Sequence, residues 1–168
     1  GALIGTSDMA AALDFYATVL GYDTKIYDET GVFSDLSPIR GGERELRRVL
    51  VRRSSGARGA FSKLFGDTRI ELVQAVGHTG EHIFSDRFWG DLGFIHICFD
   101  IVGMDLLKSR CQATGHPFTV DSGSRFDMGD AGGRFAYVED PDGTLIEFVE
   151  THRLPILKRF NWYIDLEK

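Results

Sequence analysis

The chain has 168 residues, 43% hydrophobic and 26% charged, a balance that suits one globular domain with a sizeable core. Its net charge of −6 argues against a nucleic-acid binder, and no apolar run approaches the length of a membrane span. Cys98 and Cys111 are too few for a disulfide framework, so a reducing, cytoplasmic setting is expected.

Residues 3–6 read as a short strand, with Gly1 to Ile4 resembling the middle of one. Ser7 and Asp8 then supply N-cap chemistry for a helix through Leu13, Tyr16 and Leu20, and Gly21 is a natural stop. Strands are expected at 22–27, 46–53 and 69–74. A second set repeats the order: a strand at 94–101, a helix at 104–113 stopped by Gly115, then strands at 117–120, 134–139 and 144–150. Asp127, Asp130 and the Gly132-Gly133 pair mark a loop before the penultimate strand. Phe88, Trp89, Phe94 and Phe135 are expected in the core, and residues 155–166 as a packed, aromatic helical tail.

The two halves share more than element order. GDTRIELVQ and DGTLIEFVE align on Thr68 and Thr144, placing Glu71 over Glu147 at an offset of 76. A fixed internal offset of this kind marks a duplicated unit. Each half therefore reads as βαβββ, the first lengthened by a window rich in arginine. From Arg40 to Lys63 eight basic residues stand against Glu43 and Glu45, a local +6 that leaves −12 for the rest of the chain.

Alternation along strands puts Glu71, His96 and Glu147 on strands whose two faces are both largely apolar. A buried carboxylate is costly unless it is paired or holds a cation. A salt bridge to an arginine explains any one of them alone. Three at matching positions of a duplicated unit point instead to a divalent ion, Zn, Ni, Mn or Fe, on Glu71, His96 and Glu147. In the arginine window, Arg48 and Arg52 share a face with Leu50 and could hold an anionic substrate. The plainer alternative is an edge strand protected by charge.

SDMAAALDFYATVLGYD, GDTRIELVQ, GFIHICFDI and GGRFAYVEDPDGTLIEFVE together resemble the vicinal oxygen chelate superfamily of glyoxalases, bleomycin-resistance proteins and dioxygenases. The resemblance spans nearly all of residues 2–150. It implies an α+β fold of two βαβββ modules in a curved, cleft-enclosing mixed sheet. On that basis the chain reads as a single domain, 1–168, with module one at 1–76, module two at 92–150 and the helical tail at 151–168.

The resemblance also implies a ligand from the first and last strand of each module. Those positions are Glu71, His96 and Glu147, and in module one Gly1, which has no side chain to offer. A different register at the N-terminus, a water in the fourth position or a degraded site would each account for the gap. The ligand pattern favours a metal-dependent lyase or isomerase of the glyoxalase/epimerase type, with Glu147, then Glu71, as the base that moves a proton beside a metal-bound carbonyl. An Fe(II) ring-cleaving dioxygenase and a non-catalytic drug-binding protein are the alternatives. A small-molecule substrate and a homodimer are expected, with neither nucleic acid nor membrane as partner.

Overall fold

The computed structural model describes residues 1–56, 58–123, 126–128, 131–160 and 162–166. The chain forms two compact units. Unit one holds Gly1–Gly56, Asp67–Asp91 and Asp140–Thr144; unit two holds Ala57–Gly66, Leu92–Glu139 and Leu145–Lys168. Among the described residues, no helix is long and apolar enough to cross a membrane.

Unit one contains β1 (Ala2–Gly5), α1 (Met9–Thr18), β2 (Thr24–Gly31), β3 (Leu46–Arg52) and β4 (Arg69–Ala75). Its sheet runs β1-β4-β3-β2, with β1 parallel to β4 and the other pairs antiparallel. Asp8 caps α1 as expected, accepting from the backbone N–H groups of Ala10 at 2.9 Å and Ala11 at 3.1 Å. Gly21 ends it at φ +77°, a conformation that side chains resist. The helix buries Met9, Ala12, Phe15 and Tyr16, and the sheet buries Ile4, Val49, Val51, Ile70 and Leu72. Full burial of such side chains is worth roughly 1.5–3 kcal/mol each. The other face of this sheet carries Leu3, Arg48, Leu50, Glu71 and Val73.

Unit two includes the short α2 (Ser62–Phe65), β5 (His96–Asp100), α3 (Met104–Ala113), β6 (Val120–Asp121), β7 (Phe126–Met128), β8 (Ala131–Glu139), β9 (Leu145–Leu157) and β10 (Trp162–Asp165). Here β5 runs parallel to β9, and β9, β8 and β6 follow in antiparallel order, so the path matches that of unit one. α3 has no local side-chain cap; the Glu150 carboxylate of β9 accepts from Gly103 N–H instead. Among the described residues, Met104, Leu107, Cys111, Ala136, Tyr137, Val138, Ile146 and Phe148 are buried in this unit.

The mixed α+β fold and both βαβββ modules are as expected, but three details differ. The tail is not helical: β9 continues to Leu157, and after one 3-10 turn, Lys158–Phe160, β10 pairs back along it. Pro155 disfavours a helix interior, and Trp162, Tyr163 and Ile164 suit a strand. The loop expected before β8 includes β7, which pairs with β8 through Phe126↔Gly133 and Met128↔Ala131; Asp130 lies outside the described residues. Phe88, Trp89 and Phe94, expected in the core, are 82%, 63% and 90% exposed on the stretch between β4 and β5, which has no strand to bury them.

Candidate active site

The strand registers make the two glutamates strictly comparable. Glu71 on β4 lies opposite Leu3 of β1 and Leu50 of β3. Glu147 on β9 lies opposite Cys98 of β5 and Tyr137 of β8. One glutamate thus has aliphatic neighbours and the other polar ones. His96 lies two residues before Cys98, opposite Leu145. The same step back from Leu3 reaches Gly1, where a Cβ would meet the carbonyl oxygen of Arg69 at 2.7 Å. Gly1 is therefore the positional counterpart of His96 in the fold as well as in spacing, and its face of β1 presents only Gly1, Leu3 and Gly5.

In unit one Glu71 is already partnered. Arg48 Nε donates to Glu71 Oε1, both side chains being largely buried at 16% and 14% exposure, and the guanidinium lies 4.7 Å over the Phe33 ring. Burial pushes the Glu71 carboxyl up, but hydrogen bonds from Arg48 and Tyr27 outweigh it and hold the group below its ordinary value. Of the two arginines expected to meet substrate, Arg48 is thus bound to Glu71, and Arg52 stands exposed opposite Arg69. Arg47 is engaged too, donating to both oxygens of Asp28 at 2.9 Å. Nor is β3 an edge strand, since it lies between β4 and β2.

Unit two presents a cluster. His96 Nε2 is 3.0 Å from Glu147 Oε2, and the Tyr137 hydroxyl is 3.4 Å from His96 Nδ1. The two rings meet edge to face, with centroids 5.4 Å apart. Burial, then a hydrogen bond to Glu147 and its charge, push the Tyr137 phenol up to about 12. Cys98 is exposed along the same face, yet surrounding protein and the Glu147 carboxylate push its thiol up to about 12. Tyr137 and Cys98 were not among the residues singled out in the sequence. Their signal lay in alternation: both fall on the face of their strands that the register brings to Glu147.

The family model for the Glyoxalase/Bleomycin resistance protein/Dioxygenase superfamily matches residues 2–148. The chain belongs to that superfamily. Several solved structures of such proteins share its fold. A glyoxalase family protein from Bacillus cereus is 17% identical over 92% of this chain and 93% of its own, with a TM-score of 0.66. The trypanothione-dependent glyoxalase I of Leishmania major is 17% identical over 88% and 82%, at 0.54. A fosfomycin resistance protein from Listeria monocytogenes, solved with Mn(II) and sulfate, is 15% identical over 89% and 88%, at 0.52. No curated protein sequence matches the chain.

Whether this superfamily member suits a divalent ion is decided by its donors. Catalytic zinc sites keep three protein ligands and one open position. Unit one offers Glu71, already engaged by Arg48, and nothing on β1. Unit two offers His96 and Glu147 side by side. Among the described residues no three His, Cys, Asp or Glu side chains are gathered to hold an ion. Among the described residues, the donor set does not fit a divalent ion.

Proposed function

We propose that this superfamily member moves a proton at a carbon next to a carbonyl of a small molecule, as an isomerase or lyase, with Glu147 as the base. The observation that carries this reading is the set Glu147, His96 and Tyr137 on adjoining strands of one unit. As Glu147 removes the proton, negative charge develops on the carbonyl oxygen and needs a hydrogen-bond donor. Tyr137 suits that role, because a phenol with its pKa near 12 keeps its proton at neutral pH. Its O–H can serve a substrate oxygen in place of the long contact to His96. The imidazole, donating from Nε2, holds the carboxylate in position. With an α-hydroxy substrate, return of the proton to the former carbonyl carbon, as the hydroxyl proton passes to the enolate oxygen, completes an isomerisation; departure of a group with its bonding electrons from the carbon β to the carbonyl completes an elimination.

The metal-dependent form of this chemistry has less support, because among the described residues no three His, Cys, Asp or Glu side chains gather to hold an ion. Ring cleavage with Fe(II) has less still, since by resemblance it needs a second first-strand histidine and Gly1 holds that register. The Arg48–Glu71 pair favours one further reading, a cleft that binds without turnover.

Exchange of solvent deuterium into a panel of α-substituted carbonyl compounds tests the proposal. Glu147→Gln should lower exchange by on the order of 10²–10⁴, the usual contribution of a positioned base. An unchanged rate would remove Glu147 from the mechanism. A phenolate absorbance titration adds a readout independent of turnover. Since Glu147 helps to raise Tyr137, the same variant should bring its ionisation down from about 12 toward 10. The sign for stability follows: a raised phenol contributes fully below pH 10, and its contribution is lost as pH rises through about 12. Metal analysis of purified protein completes the test. One tightly held ion per chain, with exchange lost on chelation, would overturn the ion-free mechanism.

A further inference from the structure

A cavity of about 410 Å³ opens within unit one, on the sheet face turned away from α1. That is within the usual span of small-molecule pockets, roughly 300–1,000 Å³. Leu3, Leu46, Val73 and Ala75 form an apolar floor, and Ile83 stands on the wall. Its rim carries Thr6, Ser7, Glu81, His82 and the 142–144 turn, none of which takes part in the cluster around Glu147.

The rim's hydrogen-bonding groups divide sharply by kind. Thr6 Oγ1 donates to Asp142 Oδ2 at 2.6 Å, Ser7 N–H donates to the same oxygen at 3.0 Å, and the Ser7 hydroxyl donates to Oδ1. The Thr144 side chain is hydrogen-bonded to Asp140. His82 Nδ1 faces the Asp142 backbone carbonyl, which can only accept, so Nδ1 carries the proton and Nε2 of the neutral ring is left as an acceptor. The hydroxyl protons of Thr6, Ser7 and Thr144 and the Nδ1 proton of His82 are thus committed inside the protein. What remains for a ligand is the lone pair of His82 Nε2, the His78 imidazole, which in its neutral form gives one proton and accepts one, and the carboxylate of Glu81, whose side chain makes no hydrogen bond to a described residue.

We propose that this cavity binds a small amine: an apolar body on the Leu3–Leu46–Val73 floor, with an ammonium or comparably donor-rich head at Glu81 and His82. A carboxylate head would meet acceptors and a like charge, while an ammonium offers three donors where acceptors wait. The DPDG turn that holds Asp142, which by sequence needs no role beyond the turn itself, sets the polarity of this rim. The site does not depend on the proton-transfer reading.

Titration of the full chain with phenethylamine, 2-phenylethanol and phenylacetate, followed by the imidazole proton resonances of His78 and His82, tests the proposal. The amine should bind at least tenfold more tightly than the acid, with the alcohol between them. Glu81→Gln, on an exposed loop that leaves the fold intact, should weaken the amine at least fivefold and leave the alcohol unchanged. Ala75→Leu narrows the floor and should weaken both. Failure of all three probes to bind, equal binding of amine and acid, or indifference to both substitutions would overturn the site. Glu147→Gln should leave amine affinity untouched, so failure of the proton-transfer reading and failure of this one are separately visible.

Discussion

Glu71 and Glu147 occupy one register position in two copies of a module, yet their neighbours give them different chemistry. Arg48 holds Glu71 by a charge-assisted hydrogen bond, and both groups are mostly withdrawn from water. Removing one partner leaves the other's desolvation unpaid, which costs about 1–3 kcal/mol. Arg48→Met should therefore lower stability by about that amount, while Arg48→Met with Glu71→Met should recover part of it; denaturant unfolding measures both. The pH dependence has a definite sign. The Glu71 carboxyl is held below its ordinary 4.5, so its contribution is present above that value and lost as pH falls through the lower folded value. The gap between wild type and Arg48→Met should accordingly close in acid. A constant gap from pH 7 to pH 2 would show that the pair is not what stabilises this position.

Among the elements, helices and strands with local signals are legible in the sequence, and contacts between distant segments are not. The Asp8 cap, the Gly21 stop and the alternation around Glu71 and Glu147 all lie within one turn or one strand, and each is where its residues imply. Partners distant in sequence carry no such mark. Nothing near Glu71 announces that Arg48, 23 residues earlier, will hold it. Apolar spacing in residues 154–164 suits a helix or a hairpin equally well, and what argues for the hairpin is Pro155 together with the strand-favouring Trp162, Tyr163 and Ile164. In the hairpin Tyr163 pairs with Pro155, and the Arg153 guanidinium lies 3.7 Å over its ring. Such a contact at an exposed site is worth about 0.5–1 kcal/mol. Tyr163→Ala should speed hydrogen exchange at the Leu166 amide, which donates to the His152 carbonyl, and leave the core amides of α1 unchanged. Uniform loss of protection through the chain would mean that β10 belongs to the global core.

At the scale of the whole molecule the duplication is legible but incomplete as a guide. Each compact unit contains a piece of the other module's sequence: 140–144 in unit one and 57–66 in unit two. The chain crosses between units at each end of those segments and again after Asp91. Borrowed residues are hydrogen-bonded into each unit. Tyr16, fully buried on α1, donates at 2.9 Å to Asp140, and Asp100 of β5 accepts from Phe61 N–H at 2.7 Å. Burial raises the Asp140 carboxyl above its ordinary range, and the Tyr16 hydrogen bond joins those from the Thr144 and Asp142 backbone N–H groups in offsetting a costly charge. Tyr16→Phe should therefore cost about 1–3 kcal/mol, or roughly 2–4 °C per kcal/mol for a chain of this size. Because both units are built across the same crossings, the variant should still melt in one transition, lowered as a whole. Calorimetry decides this: a split into two transitions, one unmoved, would show that the exchanged segments do not make the two units unfold together.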